Sequence, residues 1–78
     1  MNQKTPNKIE VRLRITYQEY LQYYQGAVKA VVTRDIHGRT VQFPAHVLRT
    51  FVGHDGIRGS FTIYTDEHNR FIKIERND

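Results

Sequence analysis

Residues 8–15 read KIEVRLRI and continue at once into TYQEYLQYYQG, residues 16–26; together the two strings decide the fold class. In the first string, apolar and charged residues alternate with a period of two, which is typical of a strand that buries one face. Its two arginines, Arg12 and Arg14, fall on the opposite face. We therefore predict a strand over residues 8–15 with a charged outer surface.

The second string carries the signals of a helix that begins after Thr16. Thr16 and Glu19 have the spacing of a capping box, in which each side chain accepts a hydrogen bond from the other residue's backbone amide. Gly26 lies where a left-handed cap would end the helix. Tyr17, Tyr20, Leu21 and Tyr24 have the spacing of one helical stripe. Its tyrosines could stack on nucleic-acid bases, but a stripe at this spacing more often faces the core. Tyr23 falls off this stripe, and the pattern predicts that it is the most exposed tyrosine.

Two hairpins follow the helix in the predicted structure. The first spans residues 27–43 with a His-Gly turn at residues 37–38, and the second spans residues 57–76 with a turn at residues 66–69. In the first hairpin, alternation predicts that one face holds Val28, Ala30 and Val32. In the second hairpin, it predicts one face of the first strand with Ile57, Gly59, Phe61 and Ile63, and inward positions in the last strand for Ile72 and Ile74. The sequence shows no internal repeat.

The segment between the hairpins, residues 43–59, reads FPAHVLRTFVGHDGIRG. A short helix over residues 45–52 is predicted, because proline suits a first helical turn and a glycine follows the last apolar residue. In the loop of residues 54–59, two glycines flank Arg58. They could let a phosphate approach that arginine, but a turn and close packing are the more usual reasons for such glycines.

The element order is β-α-β-β-α-β-β, which indicates an α+β fold. Because short turns join neighbouring strands, we predict one five-stranded, mostly antiparallel sheet, with a partly open small barrel as the alternative. The chain is expected to form a single domain over residues 8–76, preceded by a flexible N-terminus at residues 1–7.

The composition restricts the cellular compartment in which the protein is expected to work. The chain has 78 residues, no cysteine and a formal net charge of +4, all of it within residues 1–39. The absence of cysteine excludes disulfides and thiolate metal sites and favours a reducing compartment. There is no signal-peptide pattern and no apolar run long enough for a membrane span. We expect a cytoplasmic protein without a membrane partner.

Catalytic chemistry finds little support in the sequence. Ser60 is the only serine, and it lies in strand alternation without a nucleophile-elbow motif. The four histidines do not pair at helical spacing, and the adjacent His54 and Asp55 alone are weak evidence for a metal or acid–base site. We predict a protein that is not an enzyme, with no catalytic residue, no metal and no cofactor.

Binding to a polyanion is the leading functional hypothesis. A local excess of positive charge attracts nucleic acid. If the outer strand faces form one surface, the residues predicted to contact nucleic acid or another polyanion are Arg12, Arg14, Lys29, Arg58 and Lys73. Charge that serves only solubility is the simpler explanation of the same excess.

A protein-interaction or homo-oligomerisation module is the alternative function. Exposed aromatic residues mark protein interfaces as well as nucleic-acid platforms. The aromatic residues predicted to lie on the surface are Tyr23, Tyr64 and Phe71.

Three strings in the chain also carry a resemblance: YYQG at residues 23–26, FPAHVLR at 43–49 and HDGIRG at 54–59. With their surroundings they resemble a family of short, uncharacterised bacterial proteins that is classified as a domain of unknown function. The resemblance covers almost the whole chain. It implies a small bacterial protein and brings no activity, cofactor or site residue.

Overall fold

Two antiparallel sheets and two helical segments make up the part of the chain that the computed structural model describes, residues 7–77. In chain order the elements are β1 (Asn7–Ile15), α1 (Tyr17–Tyr24), β2 (Ala30–Arg34), β3 (Thr40–Pro44), a 3₁₀ helix (Ala45–Phe51), β4 (Ile57–Thr65) and β5 (Phe71–Arg76). The predicted order of elements is confirmed. Within these residues, neither helix is long and apolar enough to cross a bilayer.

The strands form two sheets rather than the predicted single one, and they do not close into a barrel. One sheet has the order β1-β4-β5 and the other pairs β2 with β3. The sheets meet at an isolated bridge between Val11 and Asp35, next to which the Ile36 amide donates to the Glu10 carbonyl over 3.0 Å. Beyond this bridge β1 and β2 diverge around a groove that is partly lined by Tyr23 of α1. The two strands therefore share one bridge and do not form a continuous ladder.

The core lies between the sheets, α1 and the 3₁₀ helix. Its buried apolar residues are Val11, Leu13, Tyr20, Val31, Val41, Phe43, Ala45, Leu48, Ile57, Phe61 and Ile63. The predicted inward faces of β1 and β4 are confirmed by this set. In the first hairpin the predicted face of Val28 and Val32 is the exposed one, because β2 buries Val31 opposite Phe43.

The helix begins with the predicted capping box. The Thr16 amide donates to Glu19 Oε1 over 2.9 Å, and the Glu19 amide donates to Thr16 Oγ1 over 3.1 Å. The predicted exposure of Tyr23 is wrong: Tyr23 packs against the core, while Tyr24 is 62% exposed. The helix is oriented so that Tyr20 and Tyr23, three residues apart, both face the core, Tyr20 buried and Tyr23 partly buried.

A β-bulge in the second hairpin reverses part of the predicted pattern of β5. Tyr64 pairs with Lys73, but Thr65 pairs with Phe71, which leaves Ile72 as the extra residue. Ile72 is therefore exposed rather than inward, whereas Phe71 lies on the core side. Downstream of the bulge, Ile74 lies opposite Ile63 and packs against the core, as predicted.

The two hairpin turns share one structure and one sequence pattern, Asp-x-His-Gly/Asn-Arg, at residues 35–39 and 66–70. In each, the aspartate carboxylate accepts hydrogen bonds from the amides two and four residues later and from the arginine Nε. The fourth residue has positive φ in both turns, Gly38 at 83° and Asn69 at 63°. This is a type I turn followed by a left-handed residue, a common three-residue hairpin. The chain thus repeats a turn although no repeat is evident from strand patterns.

The hydroxyl of Thr65 is the one buried side-chain polar atom of residues 7–77 that has no hydrogen-bond partner. Thr65→Val replaces this hydroxyl with a methyl group of similar size. We expect the free energy of unfolding to rise by about 1 kcal/mol, because an unsatisfied buried group is removed. Urea denaturation measures the change.

Thr62→Val is the matched control for Thr65→Val, because both threonines lie on β4 and are buried. The Thr62 hydroxyl donates to Asn77 Oδ1 over 2.7 Å, so this substitution should lower stability. Equal losses in the two variants would contradict the assignment of Thr65 as unsatisfied.

Candidate polyanion-binding face

One face of the three-stranded sheet is turned away from the core. The register of β1, β4 and β5 assigns its residues, which we call the outer sheet face: Lys8, Glu10, Arg12, Arg14, Arg58, Ser60, Thr62, Tyr64, Lys73 and Glu75. Four of the five predicted polyanion-binding residues lie on this face. The fifth, Lys29, lies in the connection before β2 and is not part of the sheet.

Arginines concentrate at one end of the outer sheet face. Arg14 of β1 lies directly opposite Arg58 of β4, and Arg12 lies one step along the same face, opposite Ser60. All three arginines are exposed, and within residues 7–77 none of them forms an ion pair. Like charges placed directly opposite each other across two strands destabilise a sheet. This end therefore holds positive charge that the described chain does not neutralise.

The opposite end of the face is internally paired. The Nζ atoms of Lys8 and Lys73 lie 5.9 and 4.8 Å from the centroid of the Tyr64 ring. The Tyr64 hydroxyl donates to Glu75 Oε1 over 3.1 Å, and Lys73 Nζ lies 3.3 Å from Glu75 Oε2. These contacts lower the pKa of Glu75, through Lys73 first and then Tyr64, while the hydrogen bond to Glu75 raises the pKa of Tyr64. Lys73 is on the face as predicted, but its charge is already partnered.

A row of acidic residues separates the two ends. Glu10 lies opposite Thr62, which in turn lies opposite Glu75, so the two carboxylates share one row across three strands. The arginine end, with Arg12, Arg14 and Arg58, is on one side of this row. The other end, which we call the lysine–tyrosine end, holds Lys8, Tyr64 and Lys73 and is on the other side.

Arg34 was not among the predicted residues, yet the fold brings it to the arginine end. The bridge between Val11 and Asp35 makes Arg34 the neighbour of Arg12 on the adjacent strand. Both arginines line a shallow groove of about 440 Å³ at the junction of the sheets. Adjacency of β1 and β2 is a long-range feature, and strand patterns within each segment carry no signal for it.

The predicted interface residues are less available than expected. Tyr23 and Phe71 pack against the core, and Tyr64 is half-buried within the lysine–tyrosine end. The tyrosines with the largest exposed fractions are Tyr17 at 47% and Tyr24 at 62%, both on the helix.

The glycine-rich loop has a structural role in this fold. Gly53 and Gly56 exchange two backbone hydrogen bonds of 2.8 and 3.1 Å. Gly56 has φ 101° and is buried against the junction of β1 and α1. This agrees with the turn interpretation of the loop. Among residues 7–77, no three His, Cys, Asp or Glu side chains are grouped so as to hold a metal ion.

A comparison with family models matches residues 7–77 to DUF2835, described as a protein of unknown function. The chain belongs to this family. The resemblance to a domain of unknown function is thereby confirmed over almost the whole chain. No curated protein and no solved structure matches it. Since the DUF2835 description assigns no activity, the function must be argued from the arrangement of side chains.

Proposed function

We propose that the protein is a non-catalytic module that binds single-stranded nucleic acid through the arginine end of its outer sheet face. The observation that supports this most strongly is the cross-strand pair of Arg14 and Arg58, with Arg12 beside it and no ion pair to any of the three within residues 7–77. Repulsion between these arginines is relieved when a phosphate group lies between them. A polyanion that neutralises several such charges also releases its bound counterions, which favours binding at low salt.

A single strand fits the face better than a duplex. Proteins that bind single strands on antiparallel sheets combine basic groups with an aromatic ring on which a base stacks. Tyr64 provides such a ring on the same face, four positions along β4 from Ser60. Of the two lysines that flank the ring, Lys8 adds positive charge beside it, whereas the charge of Lys73 is paired with Glu75.

The test is fluorescence anisotropy with a labelled 20-nucleotide single strand and the corresponding duplex, titrated between 25 and 200 mM salt. We expect tighter binding to the single strand and weakening as salt rises. In the double variant Arg14→Ala/Arg58→Ala, the affinity should fall at every salt concentration. The slope of log affinity against log salt should also become shallower by about 1.4, since each lost phosphate contact removes about 0.7.

A control variant with the same charge change separates local contact from net charge. Lys29→Ala/Arg49→Ala removes two exposed basic groups that lie off the outer sheet face. It should keep most of the affinity. Equal weakening in both double variants, or no binding at 25 mM salt, would overturn the proposed function.

A homo-oligomerisation module is the second candidate, supported by one exposed patch. Tyr17 and Tyr24 flank Tyr20 with ring centroids 6.4 and 6.2 Å apart, and the Arg49 guanidinium lies 5.9 Å from the Tyr24 ring. Aromatic residues with an arginine are enriched at protein interfaces. Light scattering at high concentration tests this function: a dimer that becomes monomeric in Tyr17→Ser/Tyr24→Ser supports it, and a monomeric wild-type protein rejects it.

A further inference from the structure

A row of hydrogen-bond donors crosses the outer sheet face at the junction of the two sheets. Arg34 on β2 neighbours Arg12 on β1, Arg12 lies opposite Ser60 on β4, and Asn77 follows β5 beside Ser60. All four residues line the same open groove of about 440 Å³. Strands in a sheet are about 4.8 Å apart, so the row spans about 14 Å. It is assembled from four separate segments of the chain.

The amide of Asn77 is oriented by its neighbours. Its backbone N–H donates to the Ser60 carbonyl over 2.8 Å, which fixes the residue against β4. Its side-chain Oδ1 accepts from the Thr62 hydroxyl over 2.7 Å, which leaves the side-chain NH₂ group to donate elsewhere. The acceptor atom of this amide is thus occupied, and its two N–H groups can donate to a ligand.

The Arg34 guanidinium is partly held by its own hairpin. Its Nη1 donates to the Gly38 carbonyl over 3.4 Å, a long hydrogen bond. A guanidinium carries five N–H donors, so one such bond leaves most of them able to contact an anion. Within residues 7–77 the charge of Arg34 is in no ion pair.

The donor set suits an anion with several acceptor oxygens, such as a phosphate group. Arginine guanidinium groups bind phosphate oxygens in a two-pronged arrangement, and neutral hydroxyl and amide donors complete such sites. Arg12 and Arg34 supply the charge, while Ser60 and Asn77 supply neutral donors. We infer that this groove binds a phosphate group, held by Arg12, Arg34, Ser60 and Asn77. The inference rests on the proposed function, in which the group is a backbone phosphate of the single strand.

A substitution at Glu10 tests the inference because it should strengthen phosphate binding, whereas substitutions of the arginines should weaken it. Glu10 lines the same groove, and its carboxylate forms no ion pair within residues 7–77. A negative charge at this position repels a phosphate. Glu10→Gln keeps the size of the side chain and removes the charge, so it should tighten binding at the groove, whereas the arginine substitutions should weaken it.

The first experiment measures affinity for the labelled 20-nucleotide single strand. Arg34→Ala/Asn77→Ala should weaken binding by about tenfold or more, which is the change that a lost charge-assisted contact of about 1.4 kcal/mol produces. Glu10→Gln should tighten binding by about threefold to tenfold. Thermal unfolding of each variant shows whether the fold is retained, and Arg34→Lys, which keeps the charge, should lose part of the affinity with little change in stability.

The second experiment distinguishes a polymer phosphate from a free one. Amide chemical shifts of the full chain are followed during titration with inorganic pyrophosphate and, separately, with an unlabelled thymidine hexanucleotide. Shifts at Arg12, Arg34, Ser60 and Asn77 with the hexanucleotide support the groove as a backbone-phosphate site. The same shifts with pyrophosphate but not with the hexanucleotide support a phosphate site and reject the nucleic-acid function.

Two outcomes would overturn the inference. If the single strand binds and Arg14→Ala/Arg58→Ala weakens it, while Arg34→Ala/Asn77→Ala and Glu10→Gln leave affinity unchanged, the groove takes no part and the proposed function stands. If neither pyrophosphate nor the hexanucleotide shifts the amides of the groove, the site does not bind phosphate.

Discussion

Gly56→Ala is expected to leave most of the protein unfolded at 25 °C. A Cβ at this position would lie against the Ile15 carbonyl oxygen, 2.6 Å from the Thr16 carbonyl carbon and 2.7 Å from the Tyr17 nitrogen. These are backbone atoms, so no side chain can rotate to make room. The backbone also has φ 101°, where an L-residue is strained. Strain and overpacking together should cost about 4 kcal/mol or more, close to the whole stability of a domain of this size.

Two other glycines provide graded controls for this substitution. Gly38 has φ 83°, but a Cβ there would meet nothing within 4 Å, so Gly38→Ala should cost only about 1 kcal/mol of backbone strain. At Gly53 a Cβ would meet only the Gly56 carbonyl oxygen, at 3.8 Å, and Gly53→Ala should change stability little. Circular dichroism during thermal and urea unfolding measures all three. A Gly56→Ala protein that melts like Gly53→Ala would show that the β1–α1 junction is not packed as described.

Local features of the fold are predictable from the sequence because short-range chemistry determines them. The strand pattern of residues 8–15 and the capping box of Thr16 and Glu19 each depend on contacts within a few residues. The order of elements follows from the same kind of pattern. The structure confirms all three features.

Features that depend on pairing between distant segments were predicted wrongly or not at all. The bulge at Ile72 is set by how β5 pairs with β4, and this one-residue change exchanges the surroundings of Phe71 and Ile72. Tyr23 is partly buried because α1 is oriented with this side chain against the core. In each case a prediction made from the pattern within one segment was overridden by a contact with another part of the fold.

In the candidate site, too, the residues identified by local pattern were predicted, and the residue placed by long-range pairing was not. Alternation along β1 and β4 identified Arg12, Arg14 and Arg58, and their common face follows from antiparallel pairing of the two strands. Arg34 reaches this face only through the bridge between Val11 and Asp35, which joins two segments that each form a strand with a different partner. Family membership adds nothing here, because DUF2835 is described as a protein of unknown function.

The two hairpin turns at residues 35–39 and 66–70 support a second prediction with a large expected effect, because they place the same carboxylate motif in two environments. The side chain of Asp35 is 2% exposed, whereas that of Asp66 is 32% exposed. Each accepts the same three hydrogen bonds, which in Asp35 come from the His37 and Arg39 amides and from Arg39 Nε. Water can replace lost partners at residue 66 but not at residue 35. Asp35→Asn should therefore lower the melting temperature far more than Asp66→Asn, with an effect second only to that of Gly56→Ala.

The pH dependence of stability should identify the same carboxylate. Burial alone raises the pKa of Asp35, but hydrogen bonds from Arg39 and His37 and the Arg39 charge outweigh it and hold the pKa below its ordinary value of 3.8. A carboxyl whose pKa is lower in the folded state stabilises the fold above its unfolded pKa, and this stability is lost as pH falls through the folded value. Wild-type melting temperature should thus be constant near neutral pH and fall steeply below about pH 4, with a shallower fall in Asp35→Asn. If the melting temperatures of the wild type and of Asp35→Asn fall with the same slope down to about pH 2, the hydrogen bonds of the turn at residues 35–39 do not hold Asp35 ionised.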